Sequence, residues 1–376
     1  MPIRHHNKTT LWRTRSFAAT ILFAAVVAWA VWPKQAEDAV DLRPVVRTNS
    51  PNTLRVEASS NGASDFELKP VIRAATNGFQ SAASGASASI LGGFAQRVFE
   101  AQLGLVRKGI SPGSIDALMG SQTRAGLRAF QLKENLPLTG ALNSATEMAL
   151  TSSAPSLVTF TVSKEDLERL CPLGTTWLAK SEQQRLDYET ILELIAERGQ
   201  SHPNLIRRLN PGIDWENIAP GTSVYVPNAE LPPAPKKAAF VRILLGDRVL
   251  EAFDDSTNLL AHFPCSIAQK MEKRPVGELH VAVIAPNPNY TFNPEVFPES
   301  PEARELDRKL ILQPGPNNPV GTVWIGLDRT GYGIHGTPRP EDVGRTESHG
   351  CFRLANWNAE YLMKLLNLGT PVFVEN

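Results

Sequence analysis

The chain has 376 residues, 42% of them hydrophobic, enough for several packed domains rather than one. Lys+Arg and Asp+Glu both number 38, which leaves neither the basic excess that nucleic-acid binding needs nor an acidic tail. Three cysteines, Cys171, Cys265 and Cys351, with no C-x-x-C pair, argue against a disulfide framework, a zinc ribbon or a redox dithiol.

The first elements in chain order concern location. Residues 1–15 carry Arg4, Lys8, Arg13 and Arg15, and residues 16–32 are uncharged and largely apolar. A basic head before an apolar run is the pattern of an export signal, with the basic segment held in the cytoplasm. The run lies near the lower length limit for crossing a bilayer. Ala28-Trp29-Ala30 is a candidate cleavage site, but Val31 and Trp32 prolong the run beyond it. The expectation is a single inner-membrane anchor at 16–32 with the rest of the chain in the periplasm. The alternative is a signal removed after export.

Residues 33–92 are rich in Ser, Ala, Asn and Gly and show no sustained periodicity, which predicts a flexible linker. From 93 to 151 helical spacing sets in. Phe94, Val98, Ala101 and Leu105 mark one helix, and Ala125, Leu127 and Phe130 a second. Asn143 opens a third, and Gly113, Gly120 and Gly140 punctuate the turns, so this is an α-helical three-helix unit. Residues 158–228 read as a small α+β module. A β-branched start at 159–162 is followed by a helix at 191–198, then Asn210-Pro211-Gly212 and a closing strand through Val224 and Val226. Residues 229–237 form a stiff, Pro-rich linker.

The texture changes for 238–376. Alternating or β-branched runs at 240–245, 279–284, 322–325 and 371–374 are separated by turn signals at Gly246-Asp247, at Pro286-Asn287 and over 314–319. This predicts an antiparallel, mainly-β domain with one helix over 358–366, stopped near Gly369. His280, inside one of the strand patterns, is expected to pack, and so is Trp324.

The chemistry lies in Ile334-His335-Gly336-Thr337 and in Ser348-His349-Gly350-Cys351-Phe352-Arg353-Leu354. A cysteine nucleophile needs a base or a positive field near its sulfur, and histidine has the ordinary pKa for that task. Gly350 removes a side chain just before the sulfur. The backbone N–H groups of His349, Gly350 and Cys351 are then candidates for holding a developing oxyanion. A zinc site on His335, His349 and Cys351 lacks a fourth ligand, so neither metal nor other cofactor is expected.

Three segments resemble known families. Ser114, Asp116, Gly120, Ser121, Gln122 and Thr123, then Ala129-Phe130-Gln131, Leu136, Thr139-Gly140 and Thr146, are similar to the small peptidoglycan-binding domain of wall hydrolases. Ala117 stands where that family usually has Gly. The Asn210-Pro211 turn and the closing strand look like the second half of a LysM glycan-binding module, although the spacer before them is long. Residues 238–376 resemble the L,D-transpeptidase (YkuD-like) catalytic domain. Its pattern is carried by His335, by Ser348-His349-Gly350-Cys351, by 314–321 and by Leu368-Gly369-Thr370-Pro371.

That resemblance implies that Cys351 is the nucleophile and His335 the general base. Ser348, His349 and Gly350 would shape the loop and the oxyanion hole, with Arg353 either holding a substrate carboxylate or bracing the loop. Tyr332 belongs either to the stem-peptide cleft or to the core. The implied activity is acyl transfer from a peptidoglycan stem peptide to an amine acceptor in the cell envelope, with a carbapenem as covalent inhibitor. The alternatives are an L,D-carboxypeptidase that uses water as acceptor and a non-catalytic scaffold that binds peptidoglycan stem peptides and glycan. Chemistry is expected to need only residues 238–376.

Overall fold

The computed structural model describes residues 79–81, 91–234, 236–297, 300–346, 348 and 350–376. The expectations for 1–15, for 16–32 and for most of the 33–92 linker therefore lie outside the described residues, as does His349. Among the described residues, no helix is long and apolar enough to cross a membrane. All of them fall in one unit that runs from Val40 to Asn376.

The helical region consists of α1 (Gly93–Val106), α2 (Ser121–Lys133) and α3 (Ser144–Leu150). Helix α1 is apolar on two faces. Ala101 and Leu105 pack on Leu127, Phe130 and Leu150 of its own region, whereas Phe99, Leu103 and Val106 pack on Leu157, Leu205 and Leu209 of the next module. A helix with two apolar stripes is held between neighbours rather than left on a surface. Each large side chain buried this way contributes about 1.5–3 kcal/mol. Two buried glutamines close the turns: Gln102 Oε1 accepts from the Ala117 N–H at 2.9 Å, and Gln131 Oε1 from the Gly140 N–H at 2.8 Å. Ala117 holds φ +62°, a left-handed conformation that glycine adopts more readily.

The second module pairs β1 (Phe79–Ser81), β2 (Leu157–Thr161) and β3 (Ser223–Pro227) in an antiparallel sheet of order β1-β2-β3. Strand β1 corrects the linker expectation, because part of 33–92 is ordered by pairing with β2. Between β2 and β3 come α4 (Lys164–Glu168), α5 (Trp177–Ser181), α6 (Ile191–Arg198) and α7 (Pro203–Leu209). Capping boxes start two of them, Ser163 with Asp166 before α4 and Thr190 with Glu193 before α6.

The C-terminal region holds an eight-stranded sheet of order β12-β11-β10-β7-β13-β4-β5-β6. Its strands are β4 (Phe240–Leu244), β5 (Val249–Phe253), β6 (Leu259–Pro264), β7 (Gly277–Pro286), β10 (Val323–Leu327), β11 (Gly333–His335), β12 (Phe352–Arg353) and β13 (Pro371–Glu375). A separate hairpin pairs β8 (Tyr290–Phe292) with β9 (Leu310–Leu312), with α8 (Pro301–Glu305) between them. The sheet is not wholly antiparallel as expected: β13 runs parallel to β4, and β12 parallel to β11. The chain must pass from β12 at one edge to β13 in the middle, and α9 (Asn356–Leu365) makes that crossing. Leu362 and Leu365 of α9 pack into the main core with Val241, Ile325 and Phe352. His280 does not pack as expected. Its half-exposed ring meets Asp328 at 2.9 Å and Glu278 at 3.4 Å.

The regions are joined by hydrogen bonds as well as by apolar contact. Ser111 N–H donates to His262 O at 2.8 Å and His262 N–H to Gly109 O at 3.1 Å, so the helical region extends the edge of β6. On the other side, Leu186 N–H donates to Pro314 O and Asn317 N–H to Leu186 O, both at 3.0 Å. Two residues of the Pro-rich stretch are likewise docked: Leu231 packs against the main core, and Lys237 Nζ reaches Leu366 O at 2.9 Å.

Candidate active site

Strands β10, β11 and β12 place the chemistry through simple alternation. Trp324 pairs with His335 in antiparallel register, and His335 pairs with Arg353 in parallel register. Directly paired residues project to the same side of a sheet, and neighbours along a strand to opposite sides. Ile325, Ile334 and Phe352 therefore share one face, which is the main core. Trp324, His335 and Arg353 share the other, and Cys351, two residues before Arg353, joins them. The indole of Trp324 stacks on His335 with ring centroids 5.7 Å apart. It can lie there because Gly333 carries no side chain; a Cβ at that position would meet the indole at 2.7 Å.

His335 is only 6% exposed. Its Nδ1 lies 2.6 Å from Gly336 O. A carbonyl oxygen only accepts, so Nδ1 carries the proton and Nε2 keeps its lone pair. Burial pushes the imidazole pKa down to about 4; the Gly336 hydrogen bond opposes that shift and the Arg353 charge adds to it.

Cys351 is half-buried against Ala285, Val320, Trp324 and Tyr290. Its thiol lies 3.6 Å from Gly331 O. Burial pushes its pKa up to about 11, opposed by a hydrogen bond from the Gly333 backbone and by the Arg353 charge. At neutral pH the resting pair is thus a thiol and a neutral imidazole.

The remaining expected residues divide. Ser348 donates its hydroxyl to Cys351 O at 2.5 Å, and its N–H donates to Ile267 O at 2.8 Å, so it shapes the loop that carries the sulfur. Gly350 borders the cleft, and among the described residues a Cβ there would meet no atom within 4 Å. Its missing side chain leaves room for a ligand rather than for the fold. Arg353 borders the cleft as well, with Nη2 3.4 Å from Thr346 Oγ1, and burial lowers its pKa. Of the two places left open for Tyr332, the structure has it at the core. One residue out of phase with Gly333 and His335, it packs partly buried against the main core, under Arg329. Trp324 is buried as expected, but on the cleft side.

The cleft has a volume of about 980 Å³. One wall comes from outside 238–376: Leu173, Trp177 and Lys180 around α5, and Glu193, Ala196 and Glu197 of α6. Tyr290 and Asn317 meet that wall from the catalytic region, Tyr290 with its ring 6.2 Å from that of Trp177 and Asn317 donating to Glu193 Oε1 at 2.7 Å. Sequence reading missed these residues. The only signal was the proline- and asparagine-rich run 314–319, read there as a turn. Among the described residues no group of three or more His, Cys, Asp or Glu is arranged to hold a metal ion.

Comparison with known proteins bears on both ends of the chain. Residues 238–374 match the L,D-transpeptidase catalytic domain, and residues 95–150 match the putative peptidoglycan binding domain. A putative L,D-transpeptidase of Bacillus licheniformis, YkuD, is 25% identical over 184 residues, which cover 49% of this chain and 92% of that protein. YqjB of Bacillus subtilis, also a putative L,D-transpeptidase, is 38% identical over 106 residues, 27% of this chain and 51% of its own. The chain thus spans nearly all of the first relative and about half of the second. Among solved structures, an L,D-transpeptidase from Mycobacterium smegmatis aligns over 44% of this chain and 80% of its own, with 16% identity and a TM-score of 0.29.

Proposed function

We propose that this chain, whose residues 238–374 are an L,D-transpeptidase catalytic domain, forms an acyl-enzyme on Cys351 with a peptidoglycan stem peptide and passes the acyl group to an amine. The observation that carries the reading is the shared face of β11 and β12. Cys351 and His335 both line one cleft, which supports their working as a pair.

The steps follow from these atoms. As Sγ attacks the peptide carbonyl, Nε2 takes the thiol proton, and the Nδ1–H bond to Gly336 O steadies the imidazolium that forms. Collapse of the tetrahedral adduct breaks the peptide C–N bond, and the imidazolium returns the proton to the leaving amine. The thioester is then attacked by the acceptor amine, which loses its proton to Nε2, and thiol and neutral imidazole are regenerated. Arg353, beside the sulfur, is placed to hold a substrate carboxylate.

The peptidoglycan-binding match at 95–150 supports a site of action at the cell wall. We extend this to anchorage in the inner membrane through 16–32, with the catalytic domain in the periplasm, and to glycan contact by the LysM-like module. The test of the chemistry is intact-protein mass spectrometry after exposure to a carbapenem. One adduct should form and should be absent from Cys351→Ala, whose thermal unfolding stays close to wild type. An adduct on Cys171 or Cys265 instead would sink the assignment. Incubation with purified stem tetrapeptides and separation of the products then tells crosslinked peptides from trimmed ones, and so amine from water as acceptor.

A further inference from the structure

Helix α6 does more than line the cleft. Asn356, fully buried at the start of α9, receives and gives hydrogen bonds on both sides of its amide. Its Oδ1 accepts from Thr337 N–H at 3.0 Å and from Thr322 N–H at 3.2 Å. Its Nδ2 donates to Glu197 Oε1 at 2.9 Å and to Pro316 O at 3.3 Å. The fit around this amide is tight. A Cβ on Gly336 would come within 2.1 Å of Asn356 Oδ1, and one on Gly321 within 2.0 Å. Gly336 is the residue whose carbonyl holds His335 Nδ1. The amide of Asn356 therefore presses against the turn that fixes the imidazole, and Glu197 holds that amide from a module outside the catalytic domain.

We propose that Glu197 is a positioning residue for His335, acting through Asn356 on the His335-Gly336-Thr337 turn. Without the Glu197 acceptor, one of the two Asn356 Nδ2 contacts is lost in a buried site. The amide is then held by three hydrogen bonds instead of four, and its Oδ1 can shift relative to the two N–H groups. The Gly336 carbonyl shifts with the turn, and the Nδ1–H tautomer loses the partner that selects it. Burial and the neighbouring Glu360 push the Glu197 carboxyl up to about 8. The group that faces Asn356 at neutral pH is thus a neutral acid, and an uncharged amide can replace it. The inference rests on the reading of His335 as the general base, but it concerns a residue which that reading does not use.

The experiment uses the full chain and its acylation by a carbapenem, followed to saturation. Glu197→Ala should lower the maximal acylation rate by about 10- to 100-fold with little change in the half-saturating concentration. Glu197→Gln keeps the shape and an oxygen acceptor for Asn356, and should recover most of the rate. Nitrogen-15 NMR of the histidine side chains should show the Nδ1–H tautomer of His335 in wild type and in Glu197→Gln, and a tautomer mixture in Glu197→Ala. Should the alanine variant not fold, Glu197→Leu supplies similar volume without an acceptor. A wild-type rate in the acceptor-less variant overturns the proposal. So does an equal loss in the alanine and glutamine variants with the His335 tautomer unchanged, which would mean that only the cleft wall had suffered. Failure of the wild-type chain to be acylated at Cys351 would instead sink the reading of the site. The tautomer measurement needs no substrate and still judges Glu197.

Discussion

At the scale of single residues, the pair at the centre of the site is held uncharged. Burial raises Cys351 to about 11 and lowers His335 to about 4, so the thiolate forms only as the reaction proceeds. Alkylation of Cys351 by iodoacetamide should rise roughly tenfold per pH unit between pH 7 and 9, since reactivity tracks the thiolate fraction below the thiol pKa. A rate that is flat from pH 6 to 8 would reveal a preformed thiolate–imidazolium pair and contradict this. The same shift has a consequence for stability. The folded protein holds His335 neutral, whereas an unfolded chain protonates it near its ordinary value of 6.5. The stability from this group is present above that value and is lost as pH falls toward 4, on the order of 3 kcal/mol in all. Thermal unfolding of wild type should therefore fall more steeply than that of His335→Gln between pH 6.5 and pH 4.

At the scale of elements, the turn after β11 is built on close approach. Gly336 passes so near to Asn356 that any side chain there must displace the Asn356 amide or the turn itself. Gly336→Ala is expected to destabilise the fold by about 1–3 kcal/mol, as overpacking of a tight site does. Because the displaced turn carries the His335 partner, carbapenem acylation of that variant should slow as well. A variant with wild-type Tm and wild-type acylation would show that the turn yields freely. Gly350 makes the contrast, since a Cβ there would meet nothing within 4 Å among the described residues. Gly350→Ala should leave Tm close to wild type and affect only the handling of substrate.

At the scale of the whole molecule, the expectation that chemistry needs only 238–376 is at odds with the cleft. Its wall includes α6, and the seams are tied by Glu197 to Asn356, Leu186 to Pro314 and Ser111 to His262. Gln122 of α2 adds a further tie, donating to Val343 O at 2.5 Å in the loop between His335 and Cys351. Helix α1 shares its apolar faces between two regions, so neither is complete without it. Calorimetry of the full chain should then record one cooperative transition through all the regions from α1 to β13. Well-separated transitions, with 238–376 melting alone and unchanged, would return the N-terminal regions to the role of independent wall-binding attachments.

The chain's motifs and periodicities determined a good deal by themselves. The three helices of 93–151 follow from apolar spacing that local geometry alone enforces. The mainly-β character of 238–376 follows from its β-branched runs. His335 and Cys351 stand out because few other roles suit histidine and cysteine among glycines. Other features came only from tertiary structure, and for a common reason: they depend on residues far apart in sequence. The parallel pairings of β12 and β13 are set by the crossover through α9. Whether Tyr332 or Trp324 faces the cleft is settled by their phase along the sheet, which a one-residue shift would reverse. Asn356 and Glu197 look like ordinary polar helix residues until the fold closes 159 positions of chain between them. Burial then turns that contact, unremarkable in water, into a brace for the His335 turn.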